Sequence, residues 1–519
     1  MSWQDEVDEI ERRRKRALEH GGRGAVEKQH ARGRLTVRER IDALVDRDSF
    51  REHGRVAGAS STGEAGDDTF SPANTVVGLA EIGGQRVVIG GDDFTQSGGA
   101  YSPAGLKKGL YVDELAIKRR LPLVRLLEAG GASVAGTGGA RGRSGYDMTA
   151  PPMLNVLCME ALASVPVVCA ALGPVAGYPA GRLAASHFSL MTKKTAQVLT
   201  GGPAVVERAL GEETTKEDLG SAKIHGRSGV VDNVVEDEED AFRQIRKFLS
   251  YMPANAWTAP PRFDVGDVRD RCEQGLLEIV PRERRRAYKM RKLIEMVVDG
   301  RSFFEMTKGF GRSQITGLAR VDGRPVGVLA NDCMFDGGSM TAEGAQKVRR
   351  FVELCDNFHL PIVSFVDEPG FMIGSDAEKA ATIRHGMNAM FTVLQSRTPW
   401  FAVVVRKAFG VAQGIHYGYG GTVVAWPSAV SGALPVESGV HLAYRSEIES
   451  ADDPEARRRE LEDEMAKGQS ILPRAEEFGV HDLIDPRETR PRVCEWLDEI
   501  EEQVALEVAK GPRSYSMRP

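Results

Sequence analysis

Cysteine is scarce in this sequence and never closely paired. The six cysteines, at 158, 169, 272, 333, 355 and 494, form no C-x-x-C step. That argues against a zinc ribbon or a disulfide framework and fits a reducing compartment, so a cytoplasmic location is expected. Long apolar runs are missing too: none approaches the ~20 residues needed to span a bilayer, and no membrane partner is expected. The start, Met1-Ser2-Trp3-Gln4-Asp5-Glu6, lacks the apolar stretch of a secretory signal. Excess positive charge is absent as well. With 68 Lys and Arg against 74 Asp and Glu, the net charge is −6, which gives no reason to expect nucleic acid. Basic residues do cluster at Arg12-Arg13-Arg14-Lys15-Arg16 and from Arg282 to Arg286. Both clusters lie in helical-looking segments with acidic neighbours and read as solvated helix faces.

Familiar catalytic signatures are also lacking. There is no G-x-x-x-x-G-K-[ST] phosphate loop, and Gly136-x-Gly138 runs into Gly139 without the dinucleotide spacing. No G-x-S-x-G elbow offers a serine nucleophile. No H-E-x-x-H appears, and His187, His385 and His416 are isolated, so they read as structural and no metal is expected. A chain without an evident acid, base or nucleophile suits chemistry carried by a cofactor, in which the protein supplies position and oxyanion stabilisation.

What the sequence does contain is itself, twice. Offset by 239 residues, 16 of the 54 positions from 78 to 131 are identical without a gap. Gly78-Leu79-Ala80 falls on Gly317-Leu318-Ala319, Asp93 on Asp332, Gly98-Gly99 on Gly337-Gly338, Lys108 on Lys347 and Gly131 on Gly370. A shorter match, Val45-Asp46-Arg47-Asp48-Ser49-Phe50 with Val298-Asp299-Gly300-Arg301-Ser302-Phe303, has an offset of 253. These matches indicate a duplicated domain, with a linker near 253–261. Length alone predicts two domains, since 519 residues exceed one ordinary core. In each copy the pattern predicts a hairpin (75–82 with 85–89), a glycine loop, a helix (104–119) and a buried strand (121–127). That order indicates α/β domains with mostly parallel strands covered by helices.

Glycine-rich turns follow the apolar strands: Gly130-Gly131, 136–141, Gly173-Pro174-Val175-Ala176-Gly177, 367–371 and 407–412. They read either as plain tight turns or as places where freed N–H groups meet a ligand.

Several segments resemble the carboxyltransferase (β) subunits of biotin-dependent acyl-CoA carboxylases, in family order. They include Arg34-Leu35-Thr36-Val37-Arg38-Glu39-Arg40-Ile41-Asp42, Gly136–Arg141, Leu199-Thr200-Gly201-Gly202-Pro203 and Ser228-Gly229-Val230. The rest are Asp367-x-Pro369-Gly370-Phe371, Ile383-Arg384-His385-Gly386, Arg406-Lys407-Ala408-Phe409-Gly410 and Trp426-Pro427. The propionyl-CoA carboxylase type is the nearest pattern.

The resemblance implies two tandem crotonase/ClpP-like (ββα superhelix) domains, 1–260 for acyl-CoA and 261–519 for carboxybiotin, in a hexamer with active sites between subunits. It implies a thioester enolate and a biotin oxygen held in main-chain oxyanion holes. Transferred by position, Gly177 and Tyr178 form the first hole and Val411 and Ala412 the second. Gly138, Gly139 and Ala140 line the thioester site, while Gly370, Phe371, Gly410 and Gly414 lie on the biotin side. The chain has neither a biotin-attachment Met-Lys-Met nor an ATP-grasp loop, so biotin carboxylase and carrier functions are expected on a partner polypeptide.

The sequence departs from the family at both holes. Tyr178-Pro179 stands where Gly-Ala is usual, and Pro179 has no N–H. Gly414 replaces an aspartate associated with small-acyl selection, which is expected to open that side of the pocket. An acyl-CoA larger or more polar than propionyl-CoA is expected to follow. Two alternatives stay open: a decarboxylase of a malonyl-type thioester, and an inactive paralogue that organises a carboxylase complex.

Overall fold

The computed structural model describes residues 2–62, 68–131, 153–263, 266–513 and 517–519. The chain divides into two units, Met1–Thr258 with Pro512–Pro519, and Ala259–Gly511.

In the first unit, the hairpin strands Thr75–Ile82 and Gln85–Asp92 pair antiparallel. Strand Gln85–Asp92 then leads a parallel series, Leu123–Ala129, Val167–Ala176, Phe188–Thr192 and Asn233–Val235. The second unit repeats this with Gln314–Val321, Arg324–Asn331, Ile362–Glu368, Trp400–Phe409, Thr422–Ala425 and Asp482–Leu483. Register follows the sequence repeat: Val88 pairs with Leu123 as Gly327 pairs with Ile362. Even the ladder irregularity recurs, between Leu127 and Ala129 in one copy and Val366 and Glu368 in the other. Beyond these strands the offset becomes 233, since Leu123 pairs with Val167 and Ile362 with Trp400.

Each hairpin is held by the short motif that precedes it. The Asp46 carboxylate accepts from the turn N–H groups of Gly83 and Gly84 at 2.9 and 2.8 Å. Asp299 accepts likewise from Asp322 and Gly323 at 3.0 and 2.8 Å. Ser49 and Ser302 accept from the N–H of Glu81 and Arg320, each at 3.1 Å. Phe50 and Phe303 lie against Gly78 and Gly317, where a Cβ would collide with backbone and ring. The two offsets, 253 and 239, are thus two sides of one contact. The motif is preceded by helices with buried apolar faces, Val37–Leu44 and Met290–Val297; a Thr36–Glu39 capping box starts the first.

The first basic cluster lies on helix Gln4–Leu18, where Arg12, Arg13 and Arg14 pair with Glu9 and Glu11 one turn away. The second does not form the expected helix: between Pro281 and Lys289 the chain runs through bends and turns, and helix begins only at Met290. Backbone groups that a helix would use are committed to side chains. The Arg286 carbonyl accepts from the Arg406 guanidinium at 2.8 Å, and the Tyr288 N–H donates to Cys333 Sγ at 3.3 Å.

Candidate active site

Parallel sheets bind ligands outside the carboxyl ends of their strands, and the glycine turns gather there. In the second unit, strands Ile362–Glu368 and Trp400–Phe409 run side by side into Gly370 and Gly410. Both glycines have left-handed φ, 121° and 61°. Gly410 then caps the 3-10 helix Val411–His416. Its own N–H is taken by the Gly432 carbonyl at 3.1 Å. The next N–H groups, on Val411 and Ala412, open the helix and have no intrahelical acceptor. Val411 is 64% exposed at the mouth.

The first unit repeats the turn. Gly131 and Gly177 have φ of 86° and 65°. A Cβ on Gly131 would stand 3.0 Å from the Ala176 carbonyl, so the two backbones need glycine to approach. The N–H of Gly177 donates to Leu199 at 3.0 Å, and Gly177 caps helix Tyr178–Ala184. Tyr178 brings a first-turn N–H that meets no acceptor among the described residues; Pro179, the counterpart of Ala412, has none to give. The second unit therefore presents two first-turn donors where the first presents one. Gly138, Gly139 and Ala140 lie outside the described residues.

The polar groups behind the turns differ. In the second unit, fully buried Glu368 accepts from the Gly370 N–H at 2.9 Å and from Asn331 at 3.0 Å. It also meets His416 Nε2 at 3.2 Å, while His416 Nδ1 lies 3.3 Å from the Ser364 hydroxyl. Asp367 beside it is gripped by Arg406 at 2.8 Å and by the Lys407 N–H at 3.1 Å. Burial works to lower the Arg406 pKa, but the Asp367 carboxylate outweighs it and the guanidinium is held charged. In the first unit Glu128, the counterpart of Asp367, pairs with Arg34 and Arg40. Behind Gly177, buried Asp113 pairs with Arg125 and Arg182 at 3.0 and 2.9 Å. Arg125 also reaches Cys158 Sγ at 3.5 Å, which lies 3.9 Å from the Tyr178 hydroxyl. Burial, then Cys158, pushes the Tyr178 hydroxyl well above the usual phenol range, so it stays protonated.

Residues 28–510 match the carboxyl transferase domain family. The chain belongs to that family. The carboxyl transferase is 33% identical over 500 residues to the propionyl-CoA carboxylase carboxyltransferase subunit of Haloferax mediterranei, covering 95% of each chain. It is also 33% identical to the human mitochondrial propionyl-CoA carboxylase beta chain, covering 95% of this chain and 90% of that one. Its fold matches transcarboxylase 12S, solved as a hexamer assembly with methylmalonyl-coenzyme A bound, with a TM-score of 0.86 at 28% identity. That match covers 100% of this chain and 97% of the other. A single-chain, multi-domain long-chain acyl-CoA carboxylase matches with a TM-score of 0.81 at 29% identity, covering 94% of this chain and 48% of that one. The two sheets are thus the tandem crotonase-like domains of a carboxyltransferase.

Within the carboxyl transferase, Gly370, Phe371, Gly410, Val411, Ala412 and Gly414 come together at the second unit's strand ends. The Phe371 ring lies on Gly386 of helix Thr382–Gln395, where a Cβ would sit 2.2 Å from the ring. That contact explains why Pro-Gly-Phe and Arg-His-Gly occur together. Beside Gly414, the Met390 methyl stands 3.0 Å from where a Cβ would be. Sequence reading missed the Glu368–His416–Ser364 chain entirely. Its members are 48 and 52 residues apart, and no local spacing marks them. Among the described residues there is no group of three or more His, Cys, Asp or Glu arranged to hold a metal, and no helix is long and apolar enough to cross a membrane.

Proposed function

We propose that this carboxyltransferase moves a carboxylate from carboxybiotin, carried on a partner polypeptide, to the α-carbon of an acyl-CoA thioester. One observation carries the reading: the same glycine turn occurs twice, each time opening first-turn N–H groups at a strand end. When bound, biotin would supply the carboxylate and the base for the α-proton. The Tyr178 N–H would hold the thioester oxygen as it becomes an enolate. The Val411 and Ala412 N–H groups suit a neutral urea oxygen that gains negative charge. Such donors, fixed before the reaction, are worth about 3 kcal/mol each. The engaged N–H groups of Gly177 and Gly410 lock the turns and are not donors to ligand.

The partner would be a biotin carboxylase and carrier subunit. In support, this chain spans about half of the single-chain long-chain acyl-CoA carboxylase. A homo-hexamer is supported by the transcarboxylase 12S assembly and by exposed Ile373, Ile383, Val411 and Tyr419 in the second unit. Six free cysteines support a reducing, cytoplasmic location.

The test is to incubate the purified protein with a panel of carboxyacyl-CoAs, with and without free biotin, and follow carboxylate loss by mass spectrometry. Biotin-dependent loss is expected, and the preferred thioester names the acyl group. Loss without biotin would indicate a decarboxylase, and no turnover across the panel would overturn the reading.

A further inference from the structure

Main-chain donors leave two ionisable side chains behind the second glycine turn without a task, the carboxylate of Glu368 and the imidazole of His416. Both are fully buried. Glu368 Oε1 accepts from the Gly370 N–H at 2.9 Å, and Oε2 accepts from the Asn331 amide at 3.0 Å. Oε2 also lies 3.2 Å from His416 Nε2. A carboxylate only accepts, so Nε2 carries the ring proton, and Nδ1 accepts from the Ser364 hydroxyl at 3.3 Å. His416 is the last residue of the 3-10 helix that Val411 and Ala412 open. Glu368 therefore grips the Gly370 turn with one oxygen and, through His416, the donor helix with the other.

The duplication shows that the scaffold does not need this pair. Ala129 pairs with Val175 as Glu368 pairs with Ala408. Counted from the capping glycines, Leu183 takes the place of His416. Ala129 and Leu183 are fully buried as well, so the first unit builds its turn over an apolar pair. A buried carboxylate and imidazole bring a desolvation cost that alanine and leucine avoid. The two donor helices differ in a way that accounts for it. Tyr178–Ala184 is an α-helix, whereas Val411–His416 is a 3-10 helix. A 3-10 helix has poorer internal hydrogen bonds, so an anchor at its far end matters more to the direction of its first N–H groups.

We infer that Glu368 and His416 are positioning residues, which aim the Val411 and Ala412 N–H groups without touching a ligand. Their role rests on the function proposed above, in which those two groups meet the biotin oxygen as it gains charge. Fixed direction is what makes such donors effective, and a displacement of about 1 Å at a reacting group can cost about 100-fold in rate. The neutral urea oxygen gains less from the same donors, so the pair should act on turnover and hardly on binding.

Three variants of the full-length protein test this: His416→Leu, His416→Gln, and Glu368→Leu combined with His416→Leu. Carboxylate loss is measured at varied free biotin, and backbone hydrogen exchange over residues 410–417 is followed by mass spectrometry. His416→Leu should lower kcat about 10- to 100-fold while KM for biotin stays within about twofold. Its 410–417 amides should exchange about tenfold faster. His416→Gln, whose side-chain amide still donates to Glu368, should recover most of the kcat. The double variant removes the acid together with its partner, so it should melt near the unaltered protein and keep the low kcat. An unchanged kcat in both leucine variants, or a raised KM at constant kcat, would overturn the inference. So would a kcat in His416→Gln no higher than in His416→Leu, or unchanged exchange. An unaltered protein without biotin-dependent loss would instead overturn the proposed function, and the exchange rates alone would then decide whether the pair fixes the helix.

Discussion

Arg125 in the first unit and Ser364 in the second occupy the same register of the same strand, one beside Cys169 and the other beside Ala402. Around Arg125 the interior is ionic, built on Asp113 with Arg182 and two thiols. Around Ser364 it is a hydrogen-bonded chain through His416 to Glu368 and Asn331. The strand-end turns in front of both are alike, down to the glycine N–H closed on a carbonyl at 3.0 and 3.1 Å. The difference teaches that a duplicated scaffold can keep its peptide skeleton while exchanging the polar groups behind it. Main-chain N–H donors act through their position, and any satisfied interior that holds the turn will serve.

The sharpest way to break this comparison is Asp113→Ala, which strands Arg125 and Arg182 as buried, uncompensated charges. It should cost about 3–5 kcal/mol, against about 1 kcal/mol for Ser364→Ala, which removes one hydrogen bond. Denaturant midpoints measure both, and equal costs would mean that the two interiors are not of different kinds. Next comes Ala412→Pro, which gives the second turn the proline that the first already has. Proline is tolerated in a first helical turn, so folding should survive while one donor is lost. Biotin-dependent carboxylate loss should fall about 100- to 1,000-fold; an unchanged rate would free the Ala412 N–H from any role.

A third difference is titratable. Asp92 stands where the second unit has Asn331, and each accepts from the backbone N–H of the strand-end acid, Glu128 or Asp367. Burial, only partly offset by Arg182, pushes the Asp92 pKa up to about 6. Its raised folded-state pKa contributes stability that is complete below the ordinary carboxyl range and is lost as pH rises through about 6. Asp92→Asn should remove that loss, raising stability at pH 8 by roughly 2–3 kcal/mol and flattening the melting temperature between pH 4 and 7. A pH profile identical to that of the unaltered protein would show that Asp92 does not titrate in this window. The smallest effect is expected from Asp46→Ala, which releases the first hairpin turn. Asp46 is half-buried and lacks the Arg490 partner that Asp299 has at 2.7 Å. The cost should be about 1–2 kcal/mol, read as faster hydrogen exchange at Gly83 and Gly84.

Much of the fold was legible because a repeat preserves register. The hairpin 75–82, the helix near 104–119 and the buried strand after it all stand close to where apolar patterning put them. The turns were legible for a related reason. Left-handed φ at Gly131, Gly177, Gly370 and Gly410 is a requirement of single residues, and glycine meets it without a Cβ. The basic segment at 282–286 misled because charge spacing mimics a helix, while its backbone groups answer to Arg406 and Cys333, far along the chain.

By itself, then, the sequence determined that two like α/β domains exist and that glycine ends their strands, since repetition and local φ are properties of the chain. Only the tertiary structure decided which N–H groups remain open and what fills each vacancy. Leu199 and Gly432 take the N–H groups of Gly177 and Gly410, and Met390 fills the space beside Gly414. Each acceptor or neighbour comes from a different element, and packing, which brings distant segments within about 4 Å, is what selects it.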